Sequence, residues 1–182
     1  NCSTGLGIPP SDRERSSYEV VTGDCTIAEA AIATKVPRLD IVTATVDLSG
    51  AEIELIEYQD RTNRLADKLS AAPAGRWDIC LIDCPPSLGV LTVNAMVAAH
   101  SLFVPLQCEF FALEGLSQLL QTIDRIKSRF NPSLAMLGVA LTMYDRRNNL
   151  TEQVAQDVRA VLGGVVFDTV IPRNVRLSEA PS

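Results

Sequence analysis

One histidine, His100, stands in 182 residues. With a single imidazole, no Ser-His-Asp or Cys-His arrangement can be argued for nucleophilic catalysis. Cysteine is present in an unhelpful pattern: five residues, at 2, 25, 80, 84 and 108, an odd number with no paired short spacing. That excludes a disulfide framework and points to a reducing cytosol. Cys80 and Cys84 lack the further converging ligands a zinc site needs. Apolar runs are short, and none approaches the length that crosses a membrane, so a soluble protein is expected. No secretory pattern opens the chain. Positive charge is in deficit, with 16 Lys and Arg against 22 Asp and Glu, a net charge of −6 and a pI near 4.8. A protein that neutralises many phosphates normally shows a basic face, so any DNA contact must come from a local arginine cluster. A glycine-rich phosphate loop is missing too, because Gly5-Leu6-Gly7 is too short and no strand precedes it. There is no internal repeat, low-complexity run or interdomain linker. Asn1 is not a natural initiator, which leads us to expect a chain that begins mid-gene.

What is present suits a globular interior: 47% hydrophobic residues and a mean hydropathy of +0.15. At this length one domain, residues 1–182, is the expectation. After a loop over 1–15, short helices are predicted at Ser17–Val21 and Thr26–Ala33, with Gly23 between them. Leu39–Ala44 reads as a strand. Ser49 with Glu52 forms a capping-box pattern that opens a long helix to about Ala71. A helix over Leu88–Ala99 and a strand over Leu102–Leu106 follow. Leu113, Leu116, Leu120, Ile123 and Ile126 repeat at helical spacing. Leu134–Met143 is a strand, Asn149 with Glu152 can cap the next helix, and Val165–Ile171 is the last strand. Alternating strands and helices predict an α/β protein with a mostly parallel sheet, helices on both faces and right-handed crossovers.

The chain is organised around Trp77–Gly89. Ile79–Ile82 reads as a short buried strand, apolar on both faces as in a covered parallel sheet. Asp83 stands at its carboxyl end, where open α/β sheets place their ligands. Pro85 and Pro86 end the pairing, and Ser87 is placed to cap the following helix. Asp is also a common turn starter before Pro, so spacing alone leaves the two readings level.

Leu81-Ile-Asp-Cys-Pro-Pro-Ser-Leu-Gly89 resembles the Walker B and switch II segment of the ParA/MinD-type partition ATPases. Leu141-Thr-Met-Tyr-Asp145 and Ile171-Pro-Arg-Asn-Val-Arg-Leu-Ser-Glu-Ala-Pro-Ser182 agree with the same family, in the same order. The resemblance runs the length of the chain and implies a P-loop NTPase-like fold that lacks its N-terminal phosphate-loop strand. It implies truncation at the N-terminus, with the switch I aspartate a few residues upstream, and truncation at the C-terminus as well.

Through the resemblance, Asp83 becomes the acid that holds Mg through its water shell, and Pro85 lies in the nucleotide-sensing switch. Met143 and Pro172 line the adenine pocket of an ATP site, with Thr142 and Arg173 beside them in the nucleotide site, although Met143 taken alone reads better as core filler. Arg147 and Arg176 match the family's surface for nonspecific DNA. Glu109, in Glu109–Gly115, matches a segment at the ATP-dependent homodimer interface, while local packing of Phe110 and Phe111 explains that stretch nearly as well. No catalytic group is assigned within this chain. The family's partner is a centromere-binding ParB-type protein, and its setting is the cytoplasm, on the nucleoid, with no membrane. Alternatives are a non-catalytic DNA- or partner-binding module, a MinD-like cell-division regulator, and an iron–sulfur electron-transfer ATPase. In the family sheet the phosphate-loop strand is central, so its absence would leave neighbouring backbone groups unpaired. Each such buried group costs roughly 1–3 kcal/mol, against a total stability of about 5–15 kcal/mol. Poor folding, or pairing with another chain, is therefore expected of the isolated stretch.

Overall fold

The computed structural model describes residues 2–85, 87–174 and 176. They fall into two compact units, one through Ala98 and the other from Ala99 onward.

In the first unit, α1 (Cys2–Gly5) and a 3-10 turn at Pro10–Asp12 lead into α2 (Ser17–Thr22). A reciprocal capping box starts α2: the Ser16 hydroxyl accepts from the helix backbone while Glu19 accepts from Ser16 N–H at 2.7 Å. Gly23, at φ 109°, ends it in the left-handed conformation that glycine adopts at no steric cost. Thr26 and Glu29 repeat the capping box for α3 (Ile27–Ala30). The strands β1 (Ala31–Ala33) and β2 (Asp40–Val42) form an antiparallel hairpin. Next come α4 (Leu48–Glu54), continued by a 3-10 turn over Leu55–Glu57, then α5 (Arg64–Ser70) and α6 (Val90–Ala98).

Two small apolar clusters hold these short helices. Val20, Cys25, Ile27 and Ala30 pack with Leu65, Leu69 and Trp77. Val21, Ala51 and Leu55 pack with Tyr18, Leu48, Val90 and Leu91. Arg64 adds a polar tie. Its guanidinium donates to the Val21 and Thr22 carbonyls at the end of α2, pairs with Asp60 and lies 4.3 Å over the Tyr58 ring. Those carbonyls are the orphan acceptors of a helix C-terminus, and a buried cation is an apt donor to them.

The second unit is a three-stranded parallel sheet flanked by helices, an α/β arrangement. The order is β3–β4–β5, with β3 Ser101–Gln107, β4 Ala135–Tyr144 and β5 Val166–Pro172. Long helices join them: α7 (Ala112–Arg129) and α8 (Asn149–Leu162). The predicted periodicity in α7 holds, with Leu116, Ile123 and Ile126 buried and Leu113 and Leu120 packed on the core. From α8, Val154, Ala155 and Val158 pack against Val139 and Leu141 of β4. Gly138 lies under the Phe167 ring, where a Cβ would come within 2.4 Å of the ring carbon Cζ.

Several boundaries differ from expectation. Residues 31–33, expected in a helix, form β1, because Ala31–Ala33 finds a ladder partner in β2. The expected long helix to Ala71 is broken at 58–63. Ser49 sits inside α4, which begins at Leu48 with no side-chain cap bond, so Ser49 and Glu52 form no capping box. Asn148, rather than Asn149, caps α8 by accepting from Leu150 N–H at 3.0 Å. Ser87 stands three residues before α6, too early for the N-cap, and its carbonyl accepts from the Thr92 hydroxyl. The largest difference is Ile79–Ile82, which is irregular, with Ile79 78% and Leu81 90% exposed. Among the described residues no strand pairs with it. An apolar run becomes a strand only where a neighbour completes its ladder.

Two results follow for stability in this chain. Leu81→Ala is expected to change urea-unfolding stability by no more than about 0.5 kcal/mol, as for a free surface position. Leu141→Ala, at a fully buried site, is expected to lose about 2–5 kcal/mol. Comparable losses would mean that Leu81 is packed after all.

Candidate functional site

Asp83 follows the irregular stretch and is exposed. Its Oδ2 accepts from the Cys2 thiol at 3.1 Å, and no lysine or arginine is recorded in an ion pair with it among the described residues. The position of Cys2 is set by its own segment. Arg13 donates to the Ile8 and Ala44 carbonyls and to the Thr4 hydroxyl, and Ala44 N–H donates to Ser3 Oγ. Hydrogen bonding to Asp83, then burial, raises the Cys2 thiol above its ordinary value. Burial, then the Asp83 charge, does the same for Cys84. Both thiols are therefore held protonated, as donors rather than as metal-binding thiolates. Among the described residues no group of three or more His, Cys, Asp or Glu could hold a metal ion directly. An exposed carboxylate without a cation, bearing only a weak thiol donor, fits a magnesium ion that keeps most of its waters.

Pro85 is exposed beyond Asp83, and Pro86 lies outside the described residues. Further on, Glu52 of α4 presses its carboxylate on Gly89, just before α6. A Cβ at position 89 would stand 2.1 Å from Glu52 Oε1, and that oxygen is buried with no hydrogen-bond partner recorded. Sequence reasoning assigned Glu52 to a cap and missed this contact.

In the second unit, the expected base-side residues gather at the carboxyl ends of β4 and β5. Tyr144 pairs with Pro172 in register, and Arg173 N–H donates to the Tyr144 carbonyl at 3.1 Å. Thr142 pairs with Gln107 of β3. Between Thr142 and Tyr144, Met143 takes φ 52°, a left-handed conformation rare for a residue with a long side chain, and is 38% exposed. Strain of this kind collects at ligand-binding positions. It also argues against Met143 as core filler. No sequence signal announces a positive φ at methionine.

Arg147 lies past β4. Its Nε and Nη2 donate to both oxygens of Asp145, at 3.0 and 2.9 Å, and its own N–H donates to Asp145 Oδ1. That fork holds Asp145 far down, at about 2. Sequence spacing gave no hint that Arg147 carries its own counter-ion. Arg176 is exposed, its N–H donating to Asn174 Oδ1. The remainder of the closing motif, at 175 and 177–182, lies outside the described residues. Glu109 is exposed at the end of β3, beside Phe110 and Phe111, whose rings meet edge to face at 5.1 Å and are themselves over 70% exposed.

A family model described as an AAA domain matches residues 1–136. The chromosome partitioning protein ParA of Caulobacter vibrioides is 59% identical over the whole chain, which spans 68% of that protein. The sporulation initiation inhibitor protein Soj of Bacillus subtilis is 47% identical, again over the whole chain and 72% of Soj. Among solved structures, a Mycobacterium smegmatis protein named as cobyrinic acid a,c-diamide synthase, with bound ADP and magnesium, superposes with a TM-score of 0.85. It is 38% identical, over 95% of this chain and 70% of that one. Relatives this similar, over this share of their length, show the family: the chain belongs to the ParA/MinD-type partition ATPases.

Proposed function

We propose that the protein binds ATP with magnesium and uses ATP-dependent dimerisation on DNA to move a chromosome or plasmid. The carrying observation is the 59% identity, over every residue of the chain, to a chromosome partitioning protein. The Mycobacterium smegmatis structure is named for a different reaction, but at 38% identity it is the more distant relative.

In this reading Asp83 holds a magnesium-bound water on its exposed carboxylate, in place of the Cys2 thiol. Magnesium, when bound, neutralises charge on the nucleotide's phosphate oxygens. Pro85 and the residues to Gly89 respond to the terminal phosphate, with Glu52 as their support. Thr142, Met143, Pro172 and Arg173 receive the base, the strained Met143 offering its side chain to a flat ring. Glu109 and the two neighbouring phenylalanines contribute to a homodimer contact. Arg147 and Arg176 touch DNA phosphates. Two arginines per subunit give weak contacts that become useful only when dimerisation brings more of them together. A ParB-type partner stimulates hydrolysis, and the setting is the cytoplasm, on the nucleoid.

Calorimetry with ATP and magnesium tests the core of this reading, on the 182-residue chain and on the protein at the length of its partitioning relatives. Binding by the longer form is expected, with Asp83→Asn weakening it at least about tenfold in magnesium and little in EDTA. Absence of binding in both forms would remove the ATPase reading.

The DNA contact has its own check. Arg147→Ala and Arg176→Ala are each expected to lower the slope of log affinity against log salt by about 1. Asp145→Asn frees the Arg147 fork and is expected to tighten DNA binding by up to about fivefold, the range for an exposed ion pair. Filter binding at several salt concentrations reads all three, and unchanged slopes would place the DNA surface elsewhere.

A further inference from the structure

An amphipathic helix usually shows one apolar face, turned to its core. The α4 helix with its 3-10 extension shows two. Ala51 and Leu55 are fully buried on one side. Ile53 of α4 and Ile56 of the 3-10 extension lie on the other side, 74% and 59% exposed, and Val46, in the turn just before α4, is 87% exposed. Scattered surface leucines and isoleucines are ordinary, but three strongly exposed β-branched residues on α4 and its two flanking turns make a patch of the kind that marks an interaction surface.

The rim of this patch is acidic. From Val46 to Asp60 the chain carries no lysine or arginine, and Asp47, Glu54, Glu57 and Asp60 are exposed, while Glu52 turns inward to Gly89. Within the fold these carboxylates have little cationic company. Asp47 accepts from the Thr45 hydroxyl and Glu54 from the Tyr18 hydroxyl, and among the described residues only Asp60 pairs with a cation, Arg64. Glu57 is exposed at the end of the apolar row.

We infer that the outer face of α4 is a docking surface for an amphipathic segment whose apolar residues are flanked by lysine or arginine. Apolar residues at helical spacing would cover Val46, Ile53 and Ile56, and the flanking cations would meet Asp47, Glu54 and Glu57. Charge also sorts the occupants. In a two-fold pairing of this face with a second copy, the same carboxylates would confront one another, which disfavours self-association. A nucleic acid would be repelled by the same rim.

The inference is independent of nucleotide binding, and so is its test. The probe is a fluorescein-labelled 18-residue helical peptide of leucine and lysine, with a leucine–glutamate twin as control, followed by fluorescence anisotropy. The lysine peptide is expected to bind, and to bind less tightly as salt rises. Ile53→Ser with Ile56→Ser, and separately Asp47→Lys with Glu57→Lys, are each expected to weaken it at least tenfold. Glu114→Lys, on α7, is expected to leave it unchanged. All the altered side chains are partly or wholly exposed, and an unchanged urea midpoint verifies folding in each variant. Equal binding of the glutamate peptide, or equal affinity in the α4 variants, would overturn the proposal. So would a concentration-dependent dimer in sedimentation that the Ile53→Ser, Ile56→Ser variant abolishes, because the occupant would then be a second copy.

Discussion

The sheet of the second unit depends on β4 having a partner on each side. Val104 pairs with Val139 on one edge and Leu141 with Val170 on the other. With its backbone satisfied in both directions, β4 can bury an unbroken run from Gly138 to Leu141, as the middle strand of a parallel sheet does. Gly138 leaves room for the tip of the Phe167 ring against the strand. The helices α7 and α8 close over Val139 and Leu141. Only because this frame is fixed can Met143, two residues beyond Leu141, be kept at a positive φ. Backbone strain needs surroundings that overdetermine it.

The stretch around Asp83 illustrates the converse. Its apolar content is as high as that of β4, and the amino acids alone recommend a strand. The structure has an exposed, irregular segment there, because pairing is a relation between segments and is not written in either one. For the same reason β1 was hidden: three alanine-rich residues look helical until Asp40–Val42 lies beside them. Elements that satisfy themselves locally were readable. The capping box at Ser16, the stop at Gly23 and the buried stripe of α7 all depend on neighbours a few residues away. The site divides along the same line. Motifs nominated Asp83, Thr142, Pro172 and Arg173 as candidates. The thiol on Asp83, the fork between Arg147 and Asp145 and the twist at Met143 emerged only from the folded chain.

Electrostatics in this protein is local rather than global. A chain of net charge −6 carries one kind of surface in each unit. Acid dominates 46–60, while arginine is gathered at 146–147 and 173–176. Even there, Arg147 is matched by a carboxylate two residues away, so the basic region is weaker than its composition suggests. Net charge describes solubility and long-range attraction well. Contacts of this kind are decided by which side chains share a turn.

The seat of Glu52 on Gly89 ties together two positions that no sequence rule connects. While the Glu52 carboxylate keeps its present seat, a methyl group at position 89 would stand 2.1 Å from Oε1, so the carboxylate would have to swing away to admit it. A shorter side chain at 52 would lift the restriction. The two sites therefore form one unit of inheritance: what a side chain at 89 costs depends on what stands at 52.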